Sequence, residues 1–340
     1  MASRYDLLLP PEYISRLTRD INHATERVYI TALVVLSDEA TRELIAAIEH
    51  ASKRGVDVSI AMDIYFTYRE EKVTAPKGYS LHGHLKRMRE TKKRLEHSGA
   101  KVRWLSQFGT FLFSRRTHIK WSVIDSTVYS FGGTNLYAES IHQNTDYIFR
   151  VKDKLLANQM AAEHQRVIRT DKAGHGYRSH LFGTAEHRVL VDGGNMFDSI
   201  IYRHALQYAE EASRVVYVSQ YCPSGKLAYF LKRNPTNEIY FNSHKSLRDR
   251  ISRTLAHISM LLNGVENSYQ KSRYLHAKFM IFEMPDGQTI AITGSHNFVG
   301  AGGALGNREV ALETTDPAII NCLYRFLDEH IKEASGDATP

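Results

Sequence analysis

Cys222 and Cys322 are the only cysteines in 340 residues, and one such pair makes no disulfide framework. A reducing compartment fits that usage. Long apolar runs are missing as well: no window holds the 18 or so uninterrupted apolar residues of a spanning helix, which leaves peripheral contact as the expected form of any membrane association. Near the N-terminus, Leu7-Leu8-Leu9 is cut short by Pro10-Pro11, without the basic region and small-residue cleavage site of an export signal. The expected location is cytoplasmic, or peripheral on the inner membrane face. Metal-ligand spacing is absent too. His82-Gly83-His84 and the pair His175 and His180 lack Cys or acid partners at ligand spacing, so neither metal nor cofactor is expected. Gly300-Ala301-Gly302-Gly303 lacks the Lys-Ser/Thr ending of a phosphate loop and reads as a flexible loop.

The remainder has ordinary globular composition, 43% hydrophobic and 24% charged, which excludes wholesale disorder. Lys and Arg number 44 against 37 Asp and Glu, a net charge of +7. The partners this favours are polyanions, either an anionic membrane surface or nucleic acid. Leu81, Leu85, Met88 and Leu95 form one face of a helix over Leu81–His97, and Lys86, Arg87, Arg89, Lys92, Lys93 and Arg94 crowd the rest. The plain reading of that basic run is a solvated face.

One pattern occurs twice. Thr117-His118-Ile119-Lys120 leads through apolar residues to Asp125 and then to Gly132-Gly133-Thr134-Asn135; His276-Ala277-Lys278 leads to Glu283 and then to Gly294-Ser295-His296-Asn297. His and Lys two apart on an extended strand point to the same face, so they converge on one ligand. Each strand turns, at Asp125-Ser126-Thr127 or Met284-Pro285-Asp286-Gly287, and returns as a hairpin. That return brings Asn135 or Asn297 beside the His and Lys. A further acid follows each Asn at similar distance, Asp146 and Glu309, and each is placed to orient the histidine of its own half.

This duplicated His-x-Lys, four residues, acid, then Gly-Gly/Ser-x-Asn pattern resembles the phospholipase D superfamily, in particular its cardiolipin synthase-like branch. The resemblance covers most of the chain. It implies one active site built by both copies, with His118 as nucleophile and His276 as general acid and base through a phosphohistidine. Lys120, Lys278, Asn135 and Asn297 are then expected to hold the phosphoryl oxygens, with Gly133 and Ser295 beside them, and Asp146 and Glu309 to fix the imidazoles. Asp125 and Glu283 are expected to be structural. Glu283 departs from the family's Asp, and Gly133 is matched by Ser295; neither change removes a catalytic group. The implied substrate is a glycerophospholipid diester, with no metal. The alternative from the same residues is a nuclease acting on nucleic-acid phosphodiesters, although small nucleases of the family carry one motif and dimerise.

The order of elements predicts an α/β fold of two similar lobes, each a mixed sheet flanked by helices. Helical period over Tyr13–Thr25 leads into a strand at Arg27–Leu36, a helix over Asp38–Arg54 and a strand at Val56–Met62, a parallel unit. The expected first lobe is 1–170, the linker 171–187 and the second lobe 188–340. In the second, helix Met196–Ala212, strand Arg214–Ser219, helix Gly225–Lys232, strand Glu238–Asn242 and helix Lys245–Leu262 precede the His276 hairpin, and a helix over Pro317–Ala334 ends it. Asp192-Gly193-Gly194-Asn195 has no His-x-Lys before it and reads as a turn. Phe108, Phe111, Phe113 and Phe298 are candidate walls of the site.

Overall fold

The computed structural model describes residues 5–64, 82–106, 116–244, 250–300 and 306–332. Phe108, Phe111, Phe113, most of the Gly300–Gly303 loop, the His82-Gly83-His84 side chains and the start of the Lys245 helix lie outside the described residues.

The first sheet contains β1 (Tyr5–Leu8), β2 (Arg27–Ala32), β3 (Asp57–Asp63), β4 (Lys101–Leu105), β5 (Trp121–Ile124), β6 (Thr127–Ser130) and β8 (Ile148–Lys152), in the order β1-β8-β6-β5-β2-β3-β4. The second contains β9 (His180–Gly183), β10 (His187–Gly193), β11 (Arg214–Val218), β12 (Glu238–Tyr240), β14 (Phe279–Glu283), β15 (Thr289–Gly294) and β16 (Arg308–Thr314), in the order β12-β11-β14-β15-β16-β10-β9. Six positions correspond one to one, β1-β8-β6-β5-β2-β3 with β10-β16-β15-β14-β11-β12, so the repeat in sequence is a repeat in topology. In each sheet the strand that follows the His-x-Lys residues is the first arm of an antiparallel hairpin, β5–β6 and β14–β15. A two-stranded parallel sheet, β7 (Asn144–Thr145) with β13 (Tyr274–Leu275), joins the halves.

Apolar side chains at alternate strand positions explain the layering. Phe131, Tyr147, Phe149 and Val151 of the first half share one buried cluster with Val216, Val218, Phe279 and Ile281 of the second. The two sheets therefore face a common core. The outer face of the first sheet packs under α1 (Pro10–Asn22) and α2 (Arg42–Lys53), that of the second under α6 (Ile200–Glu211) and α7 (Gly225–Arg233). With both faces covered, β16 is buried along its whole length, and its sequence does not alternate as a half-exposed strand would.

Several boundaries differ from expectation. The segment read as linker contains β9, paired with β10; its residues alternate between half-buried and exposed, as an edge strand does, and its polar neighbours hide that pattern. Leu7 and Leu8 belong to an edge strand against β8. The second-half helix begins at Ile200 rather than Met196, because Ser199 accepts from the Tyr202 amide as its N-cap. The last α-helix ends at Phe326 and continues as a π-helical turn over Leu327–Ile331. On the basic helix, α3 (His82–His97), Leu85, Met88 and Leu95 are buried while Lys86, Arg87, Arg89 and Lys93 are exposed, a solvated face. Among the described residues no helix is long and apolar enough to cross a membrane.

Asp125 turns the β5–β6 hairpin with φ of 48°, a conformation Asp tolerates. Its carboxylate accepts from the amides of Thr25, Glu26 and Arg27 at 3.0, 2.9 and 3.0 Å, so it pins the entry to β2. Asp125→Ala leaves three backbone donors without their acceptor and is expected to cost about 2–3 kcal/mol. Urea unfolding measures this; an unchanged midpoint would show that water replaces the carboxylate. Glu283 instead accepts from Arg214 and Tyr324 at the partly exposed end of β14.

Candidate active site

Each histidine precedes its hairpin strand where the chain is stitched to the other half. The amide of His118 donates to the Arg308 carbonyl at 2.9 Å, and Arg308 donates back to Arg116 at 2.7 Å. The amides of His276 and Ala277 both donate to the Thr145 carbonyl at 3.0 Å. Arg308 and Thr145 are the residues immediately before Glu309 and Asp146, so each backbone bridge delivers the acid of one half to the histidine of the other.

The side chains follow that crossing. His118 Nδ1 lies 3.0 Å from Glu309 Oε2, and His276 Nδ1 lies 2.7 Å from Asp146 Oδ2. The expectation that each acid serves its own half is therefore corrected: hydrogen bonding across the junction, rather than proximity along a strand, selects the partner. A carboxylate only accepts, so each Nδ1 carries the proton and each Nε2 presents a lone pair. Asp146 is itself fixed by the amides of Gly133 and Tyr147 at 3.1 and 2.9 Å, and Glu309 by the Ser295 hydroxyl.

Gly133 and Ser295 occupy matching positions with different room. A Cβ on Gly133 would sit 2.7 Å from Asp146 Oδ2 and 2.8 Å from His276 Nδ1, so the shorter acid is held by a backbone amide. In the second half the longer Glu309 meets a side-chain hydroxyl.

Lys120 and Lys278 donate to the carbonyls of His118 and His276, which folds each ammonium back beside its own histidine. Both are buried. Burial brings Lys120 down to about 8 and Lys278 to about 7, against the pull of Glu309 and Asp146. Burial, reinforced by Lys278 and opposed by Asp146, takes His276 to about 3; His118 is lowered chiefly by burial. Burial alone would raise Glu309, yet the neighbouring His118 brings it to about 2. Asn135 and Asn297 keep their side-chain oxygens buried with no hydrogen-bond partner; an amide oxygen only accepts, so what each Asn offers a phosphoryl oxygen is its Nδ2–H₂.

A phosphate anion entering between the lysines raises both ammonium pKa values. At pH 8, where Lys278 is mostly neutral and Lys120 about half charged, its binding is expected to take up protons, and the share taken by the lysines to fade below pH 7. Calorimetry in buffers of different ionisation heat reads this; zero uptake at pH 8 would show that the lysines are already charged.

Sequence reasoning missed the support behind His118. Asp63, at the end of β3, accepts from the Thr117 amide at 2.6 Å and from Ser106 Oγ. Arg308, fully buried, pairs with Asp171 at 2.8 Å, and Asp171 accepts from the Ser106 amide at 3.0 Å. Arg308 stands next to Glu309 in sequence, but its burial in an ion pair depends on a partner 137 residues away.

Residues 17–168 match the family described as cardiolipin synthase, PLD-like domain. Phosphatidylserine synthase of Haemophilus influenzae Rd KW20 superposes with a TM-score of 0.72 at 14% identity, covering 98% of this chain and 88% of that one. Polyphosphate kinase of Porphyromonas gingivalis superposes with a TM-score of 0.59 at 12% identity, covering 94% of this chain and 46% of that one. No curated protein matches the sequence. The family match ends within the helix Lys154–Lys172, yet the strand order on either side of it is the same and each half completes the other's histidine, so residues 17–168 match a phospholipase D-like domain and the second half repeats its topology.

Proposed function

We propose that this protein is a metal-independent phosphatidyltransferase or phosphodiesterase of glycerophospholipids, working through a phosphohistidine. The observation that carries the reading is the pair of Nδ1–carboxylate contacts, 3.0 and 2.7 Å, which put the proton of each imidazole on Nδ1 and its lone pair on Nε2. In-line displacement at phosphorus needs a nucleophile and a proton donor on opposite sides. His118 Nε2 attacks phosphorus. The bond to the departing alcohol breaks, and His276 protonates that oxygen. His276 then removes the proton of an incoming alcohol or water, whose oxygen takes phosphorus back from His118. Lys120, Lys278, Asn135 and Asn297 hold the non-bridging oxygens and offset their charge. The negative charge of the bound diester raises His276 toward the protonated form its first step needs.

The cardiolipin synthase description of the matching family and the likeness to a phosphatidylserine synthase along nearly all of both chains support a lipid diester over other phosphodiesters. The test is to incubate the purified protein with mixed phospholipid vesicles, plasmid DNA or polyphosphate, with rising glycerol, and to identify products by mass spectrometry. The expected result is phosphatidic acid giving way to an exchanged lipid as glycerol rises, since partition of the intermediate follows acceptor concentration. A phosphatidic acid yield independent of acceptor leaves a hydrolase. Nicked DNA without a lipid product makes the chain a nuclease.

A further inference from the structure

The two half-sites differ at the residue before each asparagine, Thr134 in the first and His296 in the second. Thr134 Oγ1 reaches the Tyr147 carbonyl at 3.5 Å. His296 has no such outlet. It is 2% exposed, and its Nδ1 accepts from the Phe298 amide at 2.8 Å, which places the ring proton on Nε2. That Nε2 is buried with no hydrogen-bond partner. An orphaned buried donor costs about 1–3 kcal/mol and calls for a use. The ring has Phe298 and Tyr202 as aromatic neighbours, at centroid distances of 5.6 and 6.3 Å. Burial brings it to about 4, with Glu309 opposing and His118 reinforcing, so it is a neutral donor within electrostatic reach of the His118 pair.

What such a donor meets follows from the symmetry of the site, and rests on the phosphodiester reading above. Matching lysines and asparagines from both halves serve the phosphoryl group they share. A donor in one half alone serves what differs between the two sides of a diester, its alcohols. The leaving alcohol departs opposite the nucleophile, on the His276 side. We propose that His296, with Tyr202 of α6, forms a subsite on the His118 side for the alcohol retained on phosphorus, and that its Nε2–H donates to an oxygen of that alcohol. The subsite selects an oxygenated, glycerol-type retained group over a plain alkyl one.

The experiment compares glyceryl and propyl p-nitrophenyl phosphates, which share a leaving group and differ only in the oxygens of the retained group. The wild type is expected to favour the glyceryl ester in kcat/KM. His296→Thr, which installs the residue of the first half, is expected to cut that preference about tenfold, the worth of one hydrogen bond, and His296→Gln, which retains an N–H, to restore part of it. Calorimetric binding of glycerol 3-phosphate against propyl phosphate gives the same comparison without turnover, and it stands if one variant folds poorly. Equal preference in the wild type, or equal losses on both ligands in His296→Thr, overturns the subsite. A wild type that binds neither phosphate overturns the phosphodiester reading instead.

Discussion

His118→Ala is expected to lower turnover by about 10⁴-fold or more, the scale on which removing a nucleophile leaves only binding and electrostatics. Among the described residues around it, His276 is held across the junction by Asp146, both lysines are folded onto backbone carbonyls and His296 carries its proton on Nε2, so none of these replaces it. His276→Ala is expected to fall as far on a lipid substrate for a different reason, since an alkoxide cannot leave unprotonated. The two are separated with a p-nitrophenyl diester, whose leaving group needs no proton. His276→Ala then accumulates protein phosphorylated on His118, visible in the intact mass, whereas His118→Ala accumulates none. Near-normal turnover of either variant would refute a shared site.

Glu309→Gln and Asp146→Asn are each expected to reduce turnover roughly 10³-fold, as a group that fixes an imidazole tautomer does when made neutral. The crossing of the pairs decides which step suffers. Glu309 lies in the second half but holds His118, so Glu309→Gln slows formation of the intermediate with every leaving group. Asp146 lies in the first half but holds His276, so Asp146→Asn slows lipid substrates and spares the first turnover of the p-nitrophenyl diester. The measurement is the rate of p-nitrophenol release in a single turnover. The opposite assignment of the two variants would return each acid to its own half.

Much of the site was legible because its chemistry is local. His and Lys two apart were expected on a strand; they lie in the segments just before β5 and β14, while the hairpins that return Asn135 and Asn297 are set by short turns. The repeat in the motif carried over to the repeat in strand order. Less was legible where burial depends on distant chain. Edge strand β9 lies among polar and glycine residues that read as connection. His296 stood inside a quoted motif, yet only its buried, unpartnered Nε2 distinguishes it from a spacer.

By itself the sequence determined the identities of the proposed site groups and their places on the duplicated pattern: two imidazoles, two ammonium groups, two amides and two acids. The tertiary structure decided their partnership and their protonation. Glu309 and His118 are 191 residues apart, Asp146 and His276 130, and only the backbone bridges between halves bring each acid to the opposite ring. The lowered pKa values of Lys120, Lys278 and His276 come chiefly from loss of water, which packing imposes. A chain's pattern states which side chains share a face; what removes solvent from that face is the other half of the molecule.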